Sequence, residues 1–278
     1  MGVERRIFVA VLIGLATIAG VRVSAEDLPR PVTQIYRVGI GGADARSSYL
    51  SPLIYKGRAY SLSGEWSKAS QWNPENLIMV FNGGGNMRSM LNPAHTASMI
   101  GLDVSFDWGV QWRRRLPYSL QVTAGGAVDV NGGVLYLPRN GNNPANALFR
   151  AGIDAKGSLS WKTSVGKVPV VVRDQVAIPT LGAFFSPQYG ETYYEIYLGN
   201  HSGLAHFGWW GNNFGINNHL SVMLDFGRTA MERGYRYEYQ SYWANRINTH
   251  VSRHSFTIGV IPHGLGIKRK ANINSSIY

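Results

Sequence analysis

The chain has 278 residues, with 27 Lys+Arg against 16 Asp+Glu, a formal net charge of +11 and no cysteine. The absence of cysteine excludes a disulfide scaffold, a thiolate metal site and a lipoprotein acylated on an N-terminal cysteine. Apart from Arg113-Arg114-Arg115 and Lys268-Arg269-Lys270 the bases are dispersed, which points to lipid head groups or acidic polysaccharide as partners, or to charges that merely solvate turns, and away from nucleic acid, which wants a basic stripe.

Arg5 and Arg6 precede an apolar run from Ile7 to Gly20, and Val23-Ser24-Ala25 offers a small-residue cleavage pattern before Glu26. This reads as a secretory signal peptide over residues 1–25, cleaved near Ala25. Residues 26–278 then form one domain. No later run reaches the roughly 18 apolar residues of a spanning helix.

Alternating stretches follow at Tyr36–Gly42, Gly57–Ala69, Leu77–Met90, Ser98–Arg113, Ser119–Asn131, Ala147–Val165, Val168–Ile178, Tyr193–Gly199, Gly203–Trp209, Asn217–Phe226, Thr229–Ala244 and Arg253–Ile261. A period of two means strands, about twelve of them. The fourth is the most telling. Leu102, Val104, Phe106, Trp108, Val110 and Trp112 share one face, while Asp103, Ser105, Asp107, Gln111 and Arg113 share the other. A soluble sheet buries its apolar face, but charges packed on the opposite face suit a strand between lipid and a polar lumen. The predicted fold is therefore all-β: an antiparallel up-and-down transmembrane β-barrel. A secreted soluble β-protein is the rival.

Tight turns at Arg114–Pro117, Gly166-Lys167 and Gly227-Arg228 alternate with longer polar stretches at Ala43–Lys56, Gly132–Asn146, Leu181–Thr192 and Trp210–Ile216. Short periplasmic turns and long external loops are the habit of outer-membrane barrels, so the first strand is expected to start in the periplasm and the address to be the cell outer membrane. This topology gathers Trp66, Trp112, Tyr118 and Trp161 at the periplasmic boundary, and Tyr49, Tyr55, Tyr193, Tyr194, Trp209, Trp210, Tyr242 and Trp243 at the other. Gly203–Trp209 is short for a span.

Four segments, Ser48-Tyr49-Leu50-Ser51-Pro52-Leu53, Asn142-Asn143-Pro144-Ala145, Phe185-Ser186-Pro187-Gln188-Tyr189 and Thr192-Tyr193-Tyr194-Glu195-Ile196, resemble the signature stretches of an uncharacterised family of exported proteins of Bacteroides-type bacteria, domain of unknown function 3316. The resemblance covers nearly the whole mature chain. It implies an outer-membrane barrel and brings neither a reaction nor catalytic residues. All four segments fall in or beside the expected external loops, where function tends to sit; packing of loop over mouth is the structural alternative.

No chemistry stands out. The seven histidines form no zinc motif, no phosphate loop is present, and no cofactor or metal is expected. His201-Ser202, an adjacent histidine and serine, falls in an expected periplasmic turn. Polar residues at the external mouth (His95, Asp129, Asn143, Ser186, Tyr189, Glu195 and His219) are the candidates for ligand contact, with the catalytic group, if there is one, unknown. Inside, alternation turns charges of both signs inward, and Asp103, Asp107, Arg150, Asp154, Arg236 and Glu238 are expected to cross-brace a narrow or plugged lumen. The functional expectation is a non-enzymatic barrel that binds a ligand or partner with its external loops or lets limited solute through. A lipid- or polysaccharide-modifying enzyme and a structural part of an envelope assembly, engaging protein partners through the basic C-terminal tail, are the alternatives.

Overall fold

The computed structural model describes residues 32–262 except residue 142; the expected signal peptide and the basic tail from Lys268 lie outside these residues. The elements in chain order are β1 (Thr33–Ser47), β2 (Ser51–Ala69), β3 (Leu77–Leu91), β4 (Ser98–Leu116), β5 (Leu120–Tyr136), β6 (Ala145–Val165), β7 (Val168–Phe185), α1 (Tyr193–Tyr197), β8 (Ala205–Trp209), β9 (Asn213–Asp225), β10 (Ala230–Ala244) and β11 (Ile247–Ile261). No described helix is long and apolar enough to cross a membrane.

Every pairing is antiparallel. Neighbours in sequence pair from β1 to β7, β7 then pairs with β9, and β9, β10 and β11 return to β1. The closing ladder runs from Tyr36↔Val260 to Ser47↔Thr249. Ten strands thus close into a barrel, and β8 stands outside it, paired with β7 from Leu181↔Trp209 to Phe185↔Ala205. Closure leaves no sheet edge, the condition for strands to cross hydrocarbon.

Two of the twelve expected strands are therefore not spans. Tyr193–Gly199 begins as the single helical turn α1, because Thr192 and Glu195 form a capping box. The Glu195 N–H donates to Thr192 Oγ1 at 3.2 Å and the Thr192 N–H to Glu195 Oε2 at 2.7 Å. Two reciprocal bonds at the turn outweigh an alternation of only a few residues. His201-Ser202 consequently lies beyond α1 at the same end as the other long connections, not at the short-turn end.

Several stretches expected as long loops are strand instead. Ala43–Ser47 and Ser51–Lys56 belong to β1 and β2, leaving three residues between them. Between β10 and β11, Asn245 and Arg246 make a two-residue turn with φ of 51° and 63°, the left-handed pair of a tight hairpin. The wall thus projects past the apolar band at this end, where water can face both sides of a ladder and alternating hydrophobicity is no longer required.

The faces divide as β4 predicts. Leu102, Val104, Phe106, Trp108 and Trp112 are 44–54% exposed on the outside. Gln111 and Arg113 are buried inside. Trp112, Tyr118 and Trp161 are exposed at the short-turn end, and Trp66 lies half-buried beside Tyr36 and Phe81, forming the expected girdle. At the long-loop end Trp209, Trp210 and Trp243 face outward, whereas Tyr55 and Tyr242 turn inward and are buried.

Phe106 sits near the middle of the outward apolar stretch. Phe106→Arg should cost about 2–4 kcal/mol in a denaturant titration of the barrel folded into lipid vesicles. Ser105→Ala, one residue away on the opposite face, should shift the same curve by less than about 0.5 kcal/mol.

Candidate functional site: lumen and mouth

The lumen is crossed by ion pairs. Near the short-turn end Arg37 donates from Nε to both oxygens of Glu232 at 3.0 Å and from Nη2 to Glu65 at 2.9 Å, and Arg173 reaches the other oxygen of Glu65 at 2.7 Å. These groups come from β1, β2, β7 and β10, so the cluster ties opposite walls together. His219 completes it, 3.0 Å from the hydroxyl of Thr257 and 3.6 Å from Glu232. Higher up, Arg150 bridges Asp129 and Asp154, the latter at 2.7 Å; Lys156 pairs with Asp107 at 2.5 Å, Arg88 with Asp103, and Arg253 with Glu238. Charges taken from water are costly alone, and pairing is what makes them tolerable.

Two cavities of about 150 and 110 Å3 remain in this polar middle. Both are lined by Asp107, Lys156, Glu238 and Arg253, so they adjoin at the charged bridges. Beyond them the inward faces turn apolar at both ends. Ile35, Val171, Met223, Ala230 and Ile261 cluster at the short-turn end. At the long-loop end Ala43, Leu50, Tyr55, Met90, Met99 and Leu135 belong to a larger cluster.

A latch covers this second cluster. The connection from Ser186 to Asn212 folds back over the mouth, and Tyr49 donates its hydroxyl to the carbonyl of Glu191 at 2.5 Å. The Glu191 carboxylate, itself buried, accepts from the Gln188 N–H at 2.9 Å and from Asn200 at 2.6 Å. The Tyr193 hydroxyl accepts from the Ala147 N–H at 2.6 Å, and its ring meets Tyr49 edge-on and stacks on Phe185. Across the mouth the Asn245 amide donates to the carbonyls of Ser186, Pro187 and Gly203 at 3.0–3.2 Å. Burial first, then the nearby Tyr193 and Glu191, push the Tyr49 hydroxyl up to about 12, and burial also raises Tyr193. The bonds from the Thr192 backbone and hydroxyl hold Glu195 below the usual carboxylate value.

Residues 7–271 match the family model described as Protein of unknown function (DUF3316). The chain belongs to this family. No curated protein matches it. Among solved structures it is similar to the transport unit of the autotransporter AIDA-I from Escherichia coli, at 6% identity over 91% of this chain and 96% of that one, with a TM-score of 0.44. The translocator domain of autotransporter NalP from Neisseria meningitidis gives 10% identity, 92% and 97% coverage and a TM-score of 0.36. Neisserial surface protein A gives 10%, 83%, 99% and 0.33.

In this DUF3316 barrel the four signature segments meet at the latch. Tyr49 and Leu50 come from the first, Asn143 (3.5 Å from the Glu191 carbonyl) from the second, Phe185 and Ser186 from the third, and Tyr193 with the Thr192–Glu195 capping box from the fourth. Their first visible role is to hold a loop over the mouth.

The expected mouth residues divide into two groups. His95, Asn143, Ser186, Tyr189 and Glu195 lie at the long-loop end, but spread around it: His95 and Glu195 are exposed, Tyr189 is 66% exposed, and buried Ser186 directs its hydroxyl to the Pro187 carbonyl. Asp129 and His219 are not at the mouth. β5 runs on to Tyr136 and β9 begins at Asn213, so both residues sink into the lumen, where each is buried. Among these expected mouth residues no histidine, carboxylate and serine converge. The expected lumen charges all face inward, Arg150 with Asp154 and Arg236 with Glu238 (4.0 Å) pairing among themselves, while Asp103 and Asp107 take Arg88 and Lys156. Arg88, Arg173, Arg253 and Glu191 were missed. The first three sit at inward positions of strands already expected, where alternation marks them; buried Glu191 has no such signal. No cluster of three metal-ligating side chains occurs among the described residues.

Glu65→Ala would strand Arg173 in the interior and should destabilise the folded barrel by about 3–5 kcal/mol, against less than about 0.5 kcal/mol for Lys167→Ala in the exposed turn; urea unfolding in detergent micelles reads both. Because the fold favours the neutral Tyr49 phenol, that contribution is present below about 10, the ordinary tyrosine value, and is lost as pH rises towards about 12. Tyr49→Phe should flatten this pH-dependent part of the unfolding curve and remove one late component from the tyrosinate absorbance titration.

Proposed function

We propose that this protein is a closed barrel of the outer membrane, oriented with its long-loop end outside, whose crown binds a ligand or partner and whose interior serves as a structural brace. The signal-peptide pattern and the outward apolar band flanked by aromatics support the address. The closed interior carries the functional reading. Ion pairs cross the lumen in its middle, apolar side chains fill it at both ends, and the latch lies over one of them.

The crown is rich in exposed rings: Tyr189, Tyr194, Tyr197, Trp209, Trp210 and Trp243 are all more than half exposed. Such rings favour a ligand offering ring faces or apolar surface, a sugar or a protein loop. Between Ser186 and Asn212 there is no lysine or arginine, so an acidic polysaccharide finds no counter-charge on the latch. Limited passage of small polar solutes or ions is the second reading, favoured by the adjoining lumen cavities.

Two measurements test this. In planar bilayers the purified chain should give no steady conductance; ohmic steps would replace the brace by the passage reading. In intact cells, a cysteine placed at Tyr197 should react with a membrane-impermeant maleimide, and labelling only after cell breakage would reverse the orientation.

A further inference from the structure

The outer wall carries a cationic corner that neither the lumen nor the latch uses. Arg46 on β1 and Lys56 and Arg58 on β2 point outward, with His250 and His254 beside them on β11. The pairing places them in neighbouring rows: Arg58, Gly42 and His254 lie directly opposite one another across three strands, Lys56 lies opposite Asp44, and Arg46 opposite His250. No salt bridge holds any of the three cations among the described residues. The one carboxylate in the patch, Asp44, accepts from the Ser252 hydroxyl at 2.9 Å, and Arg46 Nε has no hydrogen-bond partner.

The next outward row, one step of about 7 Å towards the barrel middle, is Tyr60, Ile40 and Phe256, 43%, 58% and 70% exposed. Cations therefore stand at the edge of the apolar band, at the level of head groups. Beside them the wall is furrowed. Leu62, Gly85, Val104 and Gly132 form one outward row across β2, β3, β4 and β5, and the two glycines leave space on either side of Val104. A Cβ on Gly132 would meet nothing within 4 Å, and one on Gly85 nothing nearer than 3.7 Å. The resulting groove of about 700 Å3 is lined by Tyr60, Leu62, Met87, Leu102 and Val134. Its β2 corner, Tyr60, lies one outward step below Arg58.

We propose that this corner is a binding site for one phosphate-bearing, multiply acylated glycolipid of the outer leaflet. Its phosphate sits among Arg46, Lys56 and Arg58, and one acyl chain lies in the glycine furrow. Charge complementarity and the adjoining apolar groove together match such a lipid, since a free phosphate would have no use for the groove and an uncharged lipid none for the cations. The choice of leaflet rests on the orientation proposed above; binding in detergent does not depend on it, so the two can fail separately.

Native mass spectrometry of the full chain in detergent, with diphosphorylated lipid A as probe, should show one lipid retained per barrel. Substituting Arg46→Gln, Lys56→Gln and Arg58→Gln together should weaken retention by about tenfold or more, and removing the lipid's phosphates should do the same. Gly132→Phe, which fills the furrow without altering charge, should also weaken it. The milder pair Lys56→Gln and Arg58→Gln, at two exposed positions, serves if the triple variant fails to fold. Equal retention by wild type and the charge variant, no effect of Gly132→Phe, or phosphatidylglycerol retained as well as lipid A would each overturn the assignment.

Discussion

Hydrocarbon tolerates neither an unpaired peptide group nor an unpaired charge, and the whole molecule is arranged around that intolerance. The ladder from β1 round to β11 closes on itself, so the backbone is satisfied. The outward side chains of β4 and its neighbours are apolar, which sends most charges of the spanning region to the inside, Asp174 and Arg233 being outward exceptions. Once there, Arg37, Glu65, Arg173 and Glu232 cannot be left singly in a confined space, and they pair across the lumen. The same pairing that makes the interior tolerable makes it narrow.

The ends obey a different rule. Where the wall rises past the membrane, water bathes the outside and the pressure to face apolar residues outward disappears. Apolar residues then turn inward and find one another, as Met90, Met99 and Leu135 do at the long-loop end and Ile35 and Met223 at the other. The latch needs this apolar seat. Leu50 joins the cluster while its neighbour Tyr49 binds the Glu191 carbonyl, so one short turn connects the seat to the loop above it. A mouth built this way carries the latch directly over its apolar cluster.

How much of this was legible depended on what each residue reports. Strand alternation is a local signal, repeated in every span, and it revealed the barrel, both wall faces and the six lumen charges. Strand ends were harder, since beyond the bilayer the ladder continues without the alternation that marks it, as at Ala43–Ser47 and Gly132–Tyr136. That error moved Asp129 and His219 to the mouth when they lie well inside. Tyr193–Gly199 deceived in the other direction: a few alternating residues imitate a strand, while the Thr192–Glu195 cap that makes a helical turn of them is a two-residue signal.

From the order of residues alone came the class of fold and the faces of its spans, because each strand must separately satisfy lipid on one side and polar surroundings on the other. Only the closed structure decided that ten strands complete the circle, that β8 stays outside it, which carboxylate each arginine takes, and that the four signature segments meet in one latch. Those outcomes join residues as far apart as Arg37 and Glu232, and no local pattern carries the distance between two walls of a barrel.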